Sequence, residues 1–547
     1  MMGKWAIPVL FLITFSLLLS SPNIKSVEGS VKLGAVIKAD GSVDGTNNIL
    51  RNGDVYYFTD DIEFSSFEFV SRGLVVQRDN IVIDGNGFGL IQRYNLTSHG
   101  VDLSERFNVT VKNLNIIGFS TGIDLTTSIS NNSIVGNVIT SPMESGIQIG
   151  IWSHSSDNEI INNTVTGFNA DGILIYNSHN NNISGNVLTE NAVGLSLHYS
   201  KNNVLRNNQM YANGHNFEIT FRGSDDFIHD IDTSNTVNSK PIYYWINQHN
   251  KSMPSDAGFV ALGDCTEITV EDLSIEHNGN GIVLYSTTES VIRSNSLENC
   301  GNAIEIRNCQ TIEVNNNQLI NNSPSGIRLA ECSHVNITQN SIVNSSFGIT
   351  LCGLNGAHAG YGGSNNISIL CNNFTGNNPS IDITYSNENV ISGNNFTNNL
   401  LCIRSLHNGN NLIVGNNFAD NNGPVIYLCE SVNNVFYHNN FANNTDQGLQ
   451  ISWYYGNSGE HNIWDNGTEG NYWSDYTGTD HNGDGVGSVP YIMNKNNQDN
   501  FPLTEPLDIN LMTIPEFPSW VVLPLFLAAT SVAILYSKRV HGRLEHS

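Results

Sequence analysis

Hydrophobic positions along this chain come in short alternating runs that return on a fixed beat. Gly281-Ile282-Val283-Leu284 is echoed by Ala303-Ile304-Glu305-Ile306, Gly326-Ile327-Arg328-Leu329 and Gly348-Ile349-Thr350-Leu351, at steps of 22, 23 and 22 residues. The phrase already stands at Gly122-Ile123, Gly146-Ile147, Gly172-Ile173, Gly194-Leu195 and Asn216-Phe217, and it returns at Ser380-Ile381, Cys402-Ile403, Pro424-Val425 and Gly448-Leu449. Within each unit Ile304, Ile306 and Leu329 fall on one side and Glu305, Arg307 and Arg328 on the other, the period of a strand. No unit carries a helical stripe. A repeat of this length predicts a solenoid whose every turn is three short strands joined by bends, an all-β parallel β-helix.

A second phrase, Asn followed at two residues by an apolar side chain, keeps the same beat at Asn137, Asn163, Asn186, Asn208, Asn295, Asn317, Asn340, Asn372, Asn394, Asn416 and Asn439. Stacked turns lie roughly 4.8 Å apart, so these amides are expected to form a ladder at an inward bend. A buried amide left unpaired costs about 1–3 kcal/mol, so such a ladder must be nearly complete to help. Some fourteen turns are readable, giving a rod at least roughly 65 Å long at that spacing. The beat breaks at about 222–258 and at 353–364, which read as lateral insertions. The expected boundaries are a signal peptide at 1–25, an N-terminal cap at 30–73, the coil at 74–455, a C-terminal cap with an Asp-rich loop at 456–506, a linker at 507–518, a transmembrane helix at 519–537 and a cytoplasmic tail at 538–547.

Both ends carry export signals. Lys4, the apolar Trp5–Leu19 and Ser20-Ser21 form a secretory leader. Ser519–Tyr536 is about long enough to span a bilayer, and Lys538, Arg539 and Arg543 after it place the coil on the outer surface. A formal charge of −27 and a pI near 4.8 exclude nucleic acid as a partner, because phosphate binding needs a basic surface. The 8 cysteines show no CxxC or zinc spacing. Cys309 and Cys332 occupy one column, either as buried thiols, the preferred reading, or as a disulfide.

Candidate chemistry is sparse. Arg222, Asp225, Asp226 and Asp230 stand close to the aromatic run Tyr243, Tyr244, Trp245. Paired acids and aromatic platforms are what a sugar site uses, although a packed side loop accounts for them as well. Tyr176 and His198 share a column that could stack on a glycan or simply form a solvated face. Glu305 over Arg328 and Asp382 over Arg404 read as surface ion pairs worth well under about 1 kcal/mol. Asp480, Asn482 and Asp484 give three oxygen ligands on one loop, suited to Ca²⁺, but Ser488 and Tyr491 replace its later ligands. An Asx-turn loop without metal is the equal alternative. Asn95, Asn336, Asn344, Asn373, Asn395 and Asn466 head N-glycosylation sequons.

Over roughly Gly73 to Leu503 the repeats resemble the right-handed parallel β-helix family, in particular NosD-type and carbohydrate-binding and sugar-hydrolysis (CASH) repeats. Ser239-Lys240-Pro241-Ile242-Tyr243-Tyr244 and the Gly470–Tyr491 segment look like features of archaeal members. Pro515-Glu516-Phe517, one apolar span and a basic cluster resemble the archaeal PEF-type sorting signal. That resemblance implies a surface protein open to archaeosortase processing. NosD-type proteins imply periplasmic copper delivery for nitrous oxide reductase maturation, yet His is scattered here and no HxH or MxxM grouping occurs. The sugar-active β-helix enzymes imply polysaccharide lyase or hydrolase chemistry, but the hydrolases' Gly-His-Gly and Arg-x-Lys are missing. Arg222 beside Asp225 and Asp226 is the one echo of a lyase site. The expectation is therefore a cell-surface β-helix that binds envelope glycan or builds the envelope without catalysis. A lyase or hydrolase for acidic polysaccharide and a copper-binding maturation protein are the alternatives.

Overall fold

The computed structural model describes residues 32–509 apart from 65–69, 94–97, 128–129, 142–148, 354–362, 452–460 and 495. The leader, the Pro515-Glu516-Phe517 motif and the Ser519–Tyr536 span lie outside the described residues. Among the described residues no helix is long and apolar enough to cross a membrane. The chain winds as a parallel β-solenoid of about 16 turns. Ile282, Ile304, Ile327, Ile349 and Ile381 stand in one register column, as the beat requires.

Asparagine is frequent because the bend needs two of them for different reasons. In Asn162-Asn163, Asn180-Asn181, Asn207-Asn208 and Asn316-Asn317 the first residue sits at φ 54–56°, the left-handed region Asn tolerates. The second turns inward and is buried. Asn137 Nδ2 donates to Asn163 Oδ1 (3.0 Å), and the relay runs on through Asn186, Asn208 and Asn235. In the second half it runs from Asn295 to Asn471 at 2.9–3.0 Å. Further ladders line other bends, for example Asn377–Asn399–Asn421–Asn444 and Asn389–Asn411–Asn434–Asn462.

The solenoid is two coils, not one. Thr236–Val237, a strand of the first coil, turns back through Asn238 (φ 48°) and Ser239 (φ 65°) into the antiparallel Lys240–Ile246, which starts the second. Two consecutive positive φ values make the tight hairpin turn that matches strand twist. The 222–258 stretch, expected as a lateral insertion, is this reversal: its strands Asp230–Ile231 and Thr236–Val237 end one coil, and Lys240–Ile246 and His249–Ser252 begin the next. Beyond the hairpin one sheet serves two cores. Ile242, Tyr244, Phe259, Ala261, Val283 and Tyr285 pack into the first coil's core, while Val260, Leu262, Ile282 and Leu284 pack into the second. The continuous apolar runs Phe259–Leu262 and Ile282–Tyr285 follow from burial on both faces. The open end of the first coil is thereby covered by the flank of the second.

An ion cluster ties that joint. Glu305 is 1% exposed and takes hydrogen bonds from Asn280 Nδ2 (2.6 Å), Arg307 Nε (2.6 Å) and Arg328 Nη1 (3.1 Å). Burial raises its pKa, but the Arg307 and Arg328 charges outweigh that and hold the carboxyl below the ordinary range. Arg307 also donates to Phe221 O of the first coil (2.7 Å) and lies over the Phe221 ring. Glu305–Arg328, expected at the surface, is thus a buried pair, and so is the bidentate Asp382–Arg404, with Asp382 4% exposed.

The N-terminal stretch expected as a cap is itself wound as a turn. Lys32–Ile37, Val55–Phe58 and Ile62–Phe64 pair in parallel with Val70–Val76, Ile81–Asp84 and Gly89–Gln92. At the far end Phe374, Phe396, Phe418 and Phe441 stack face to face 4.6–5.1 Å apart, and Trp473 and then Tyr491 close the column. Cys309 and Cys332 are free, buried thiols in one bend column, each donating to backbone carbonyls.

Candidate functional site at the joint between the coils

The acids singled out in the sequence do not converge. Asp225 faces Lys201 (3.4 Å), and Asp226 accepts the Arg222 backbone N–H (3.2 Å). Asp230 belongs to a different sheet and pairs with Arg206 (2.6 Å). Arg222 turns away from all three, its guanidinium 4.0 Å from the Tyr199 ring centre. Alternation also splits the aromatic run. Tyr244 is core: it is buried and donates its hydroxyl to Phe227 O, so neither ring face is free for a sugar. Tyr243 and Trp245 point the other way and pack edge to face (6.1 Å) over the start of the second core. Tyr243 donates to Asp256 (2.9 Å), and Lys251 Nζ lies 5.7 Å from the Trp245 ring.

Tyr176 and His198 do share a column, in direct register. They belong to a ridge along the outer face of the first coil. His154 meets Tyr176 edge to face at 5.3 Å, Tyr176 meets Tyr199 at 5.7 Å, and Arg222 covers Tyr199. Tyr176, His198 and Tyr199 are half-buried, while His154 and Arg222 are exposed.

Beside the ridge lies a cluster that sequence reasoning missed. The strands Asp171–Tyr176, Val193–His198 and His215–Thr220 place Leu174, Ser196 and Glu218 in one column, two residues from the Tyr176–His198 column and therefore on the same face. Ser196 is buried and donates its hydroxyl to Asp171 Oδ1. His198 Nε2 lies 3.3 Å from Glu218 Oε1, both side chains about a quarter exposed. Burial pushes the Asp171 carboxyl above its ordinary range; the Ser196 hydrogen bond and the His198 charge oppose this, and Glu218 adds to it. Burial also holds the neighbouring His215 imidazole below its usual value. Two other acids of this face have cationic partners: Asp102 pairs with Arg72 (2.7 Å) and Asp124 with His99 (2.6 Å).

The second coil forms the wall of this corner. Asn216 N–H donates to His277 O (2.6 Å), and Gly279 N–H donates to Phe217 O (3.0 Å). A Cβ on Gly279 would stand 2.5 Å from Glu218 Cγ, so this contact requires glycine. The signal for the cluster was present in the repeat: aligning Gly172-Ile173, Gly194-Leu195 and Asn216-Phe217 lines up Leu174, Ser196 and Glu218. Only the hairpin, unseen in the repeat, brings the wall.

Metal ligation has little support in the geometry. Asp480 accepts backbone N–H groups from Asn482, Gly483 and Gly485, and Asn482 Nδ2 donates to Asp484 (2.8 Å), so the Asp-rich loop closes on its own hydrogen bonds. Among the described residues no three His, Cys, Asp or Glu side chains stand where they could share an ion. Seven of the eight cysteines are buried. The described residues do not fit a copper centre, which wants clustered His, Cys or Met.

A family model described as periplasmic copper-binding protein (NosD) matches residues 45–243 and 355–478, more than half of the chain, and one described as right handed beta helix region matches residues 218–359. No curated protein matches the sequence. Among solved structures, the XylC complex with xylose is similar at 14% identity and a TM-score of 0.27, over 39% of this chain and 44% of that one. The Azotobacter vinelandii mannuronan C-5 epimerase AlgE4 A-module is similar at 15% identity and a TM-score of 0.26, over 71% and 90%. PfbA, a surface adhesin of Streptococcus pneumoniae, is similar at 12% and 0.25, over 66% and 84%. Likeness at this level says nothing of what the chain binds.

Proposed function

The chain belongs to the NosD family, and from that premise we propose that it is an exported right-handed β-helix that binds envelope glycan along the flank of its first coil. The observation that carries the reading is the ridge of His154, Tyr176, Tyr199 and Arg222, whose rings meet edge to face beside half-buried polar groups. A long, fixed row of rings offers apolar faces to successive sugars, with His198, Glu218 and Asp171 alongside to fix hydroxyls. Surface attachment through the 519–537 span belongs to the same proposal, as does archaeosortase processing at Pro515-Glu516-Phe517.

Affinity electrophoresis of the purified protein in gels holding soluble polysaccharides tests it. At least one polymer is expected to retard the protein, and Tyr176→Ala combined with Tyr199→Ala is expected to weaken retardation tenfold or more while the melting temperature holds. Mobility that no polymer changes would sink the reading.

A further inference from the structure

The aromatic ridge explains binding but leaves the neighbouring carboxyls without a task. Asp171 and Glu218 both come to Ser196, one by hydrogen bond and the other by register one turn on, roughly 4.8 Å away. Neither is matched to an arginine or lysine in the way that Asp102 is matched to Arg72. Their surroundings also differ. Asp171 is tucked against a buried hydroxyl, whereas Glu218 stands beside an imidazole and against the bare backbone of Gly279. Two carboxyls at one spot with unlike surroundings are the arrangement that separates a proton donor from a proton acceptor. The corner between two packed coils is also where ligand clefts tend to form.

We propose that this corner is a glycoside-hydrolysing centre for neutral polysaccharide, with Asp171 as general acid and Glu218 as general base. The proposal rests on the ridge as the glycan-binding surface, since the ridge would lay the chain across the two carboxyls. Asp171 gives its proton to the glycosidic oxygen as the bond from the anomeric carbon to that oxygen breaks. Glu218 takes a proton from water as the water oxygen bonds to the anomeric carbon. One water is consumed, and both carboxyls regain their starting states by proton exchange with solvent. Ser196 and His198 are positioning residues, one for each carboxyl. Burial against desolvation is what keeps the Asp171 proton available near neutral pH. A neutral polymer is the fitting class because Asp102, Asp124, Asp171 and Glu218 line the face and the chain carries a formal charge of −27. A polyuronate would meet like charge along its whole length.

The test incubates the full chain with borohydride-reduced xylan, glucomannan, β-1,3-glucan and arabinogalactan and measures new reducing ends. At least one polymer should be cut. Asp171→Asn and Glu218→Gln should each lower the rate a hundredfold or more, the usual share of a general acid or base, with electrophoretic retardation and melting temperature unchanged. The double variant Asp225→Asn, Asp230→Asn should cut at the parent rate. Retardation without cleavage of any of the four polymers overturns the catalytic assignment and leaves the ridge standing. Loss of both retardation and cleavage in the parent removes the ground of both. Either carboxamide variant keeping more than a tenth of the parent rate overturns the roles given to these two residues.

Discussion

Replacing one rung of the asparagine ladder tests what holds the second coil together. Asn394 is fully buried. Its Oδ1 accepts from Asn372 N–H (2.8 Å) and Asn372 Nδ2 (3.0 Å), and its Nδ2 donates to Ile369 O (2.8 Å) and Asn416 Oδ1 (3.0 Å). Asn394→Ala removes all four bonds. Asn372 Nδ2 keeps Ile337 O as a partner, and Asn416 Oδ1 keeps the Asn394 backbone N–H. The Asn372 backbone N–H loses its acceptor and no water reaches it. Orphaned buried groups cost about 1–3 kcal/mol each, so a net loss of about 3–5 kcal/mol follows. Asn394→Asp is the sharper variant. It keeps the acceptor but sets a second oxygen against Ile369 O and Asn416 Oδ1, and it should be at least as damaging although its shape is unchanged. Because a solenoid couples nearest neighbours only, the readout should be local. Amide hydrogen exchange at Asn372 is expected to speed up by two or more orders of magnitude, while the first coil around Asn186 keeps its protection. If Asn394→Ala lowered stability by less than about 1 kcal/mol and Asn372 stayed protected, the ladder would be a consequence of the fold and not one of its supports.

Thiol chemistry should distinguish one cysteine from seven. Burial pushes Cys300 and Cys332 up to about 12 and raises Cys309 and Cys402 as well, whereas Cys371 is exposed. Iodoacetamide at pH 8 should therefore label Cys371 alone in the native protein and all 8 after unfolding, and rapid native labelling of Cys309 or Cys332 would contradict the buried column. Acid should loosen one end of the molecule and firm the other. Burial lowers His229 at the joint to about 4, below its unfolded value near 6.5; the stability it contributes is whole above that value and falls by about 3 kcal/mol as pH drops to 4. Burial raises Asp499 under Trp473 to about 6, so its contribution is whole below about 3.8 and fades as pH rises through 6. Region-resolved hydrogen exchange at pH 4.5 and 7.5 should show protection at the joint falling in acid and protection around Asn471 rising, and parallel changes at the two ends would refute the pair.

The fold was legible because a solenoid writes its geometry as a period. Ile282, Ile304 and Ile327 stack since each follows the last by one turn, and the Asn ladder is the same fact in polar residues. What the period could not carry was the reversal. A hairpin needs only two residues, Asn238 and Ser239, and their positive φ leaves no repeat to count. The runs Phe259–Leu262 and Ile282–Tyr285 did hold a clue, because strands apolar on both faces must meet apolar surface on both. Glu305 was misjudged for the same reason: alternation says it points out of its own coil, but not that another coil lies there.

The candidate site depends on that same joint, which is why its parts were legible and its assembly was not. Tyr176 and His198 share a column by counting alone, and so do Ser196 and Glu218. Neither count says that a column is worth more than a solvated face. Clustering of Arg222, Asp225, Asp226 and Asp230 in sequence pointed instead to a stretch whose job is to bend the chain, and a tight bend scatters consecutive side chains to opposite sides. Residues distant in sequence and equal in phase converge; residues adjacent in sequence at a reversal diverge. In a molecule built this way a functional cluster is to be sought first among side chains one turn apart, and next where the winding is interrupted. Asp171, Ser196, His198 and Glu218 meet both conditions, being in phase across three turns and closed from the side by Gly279 of the second coil.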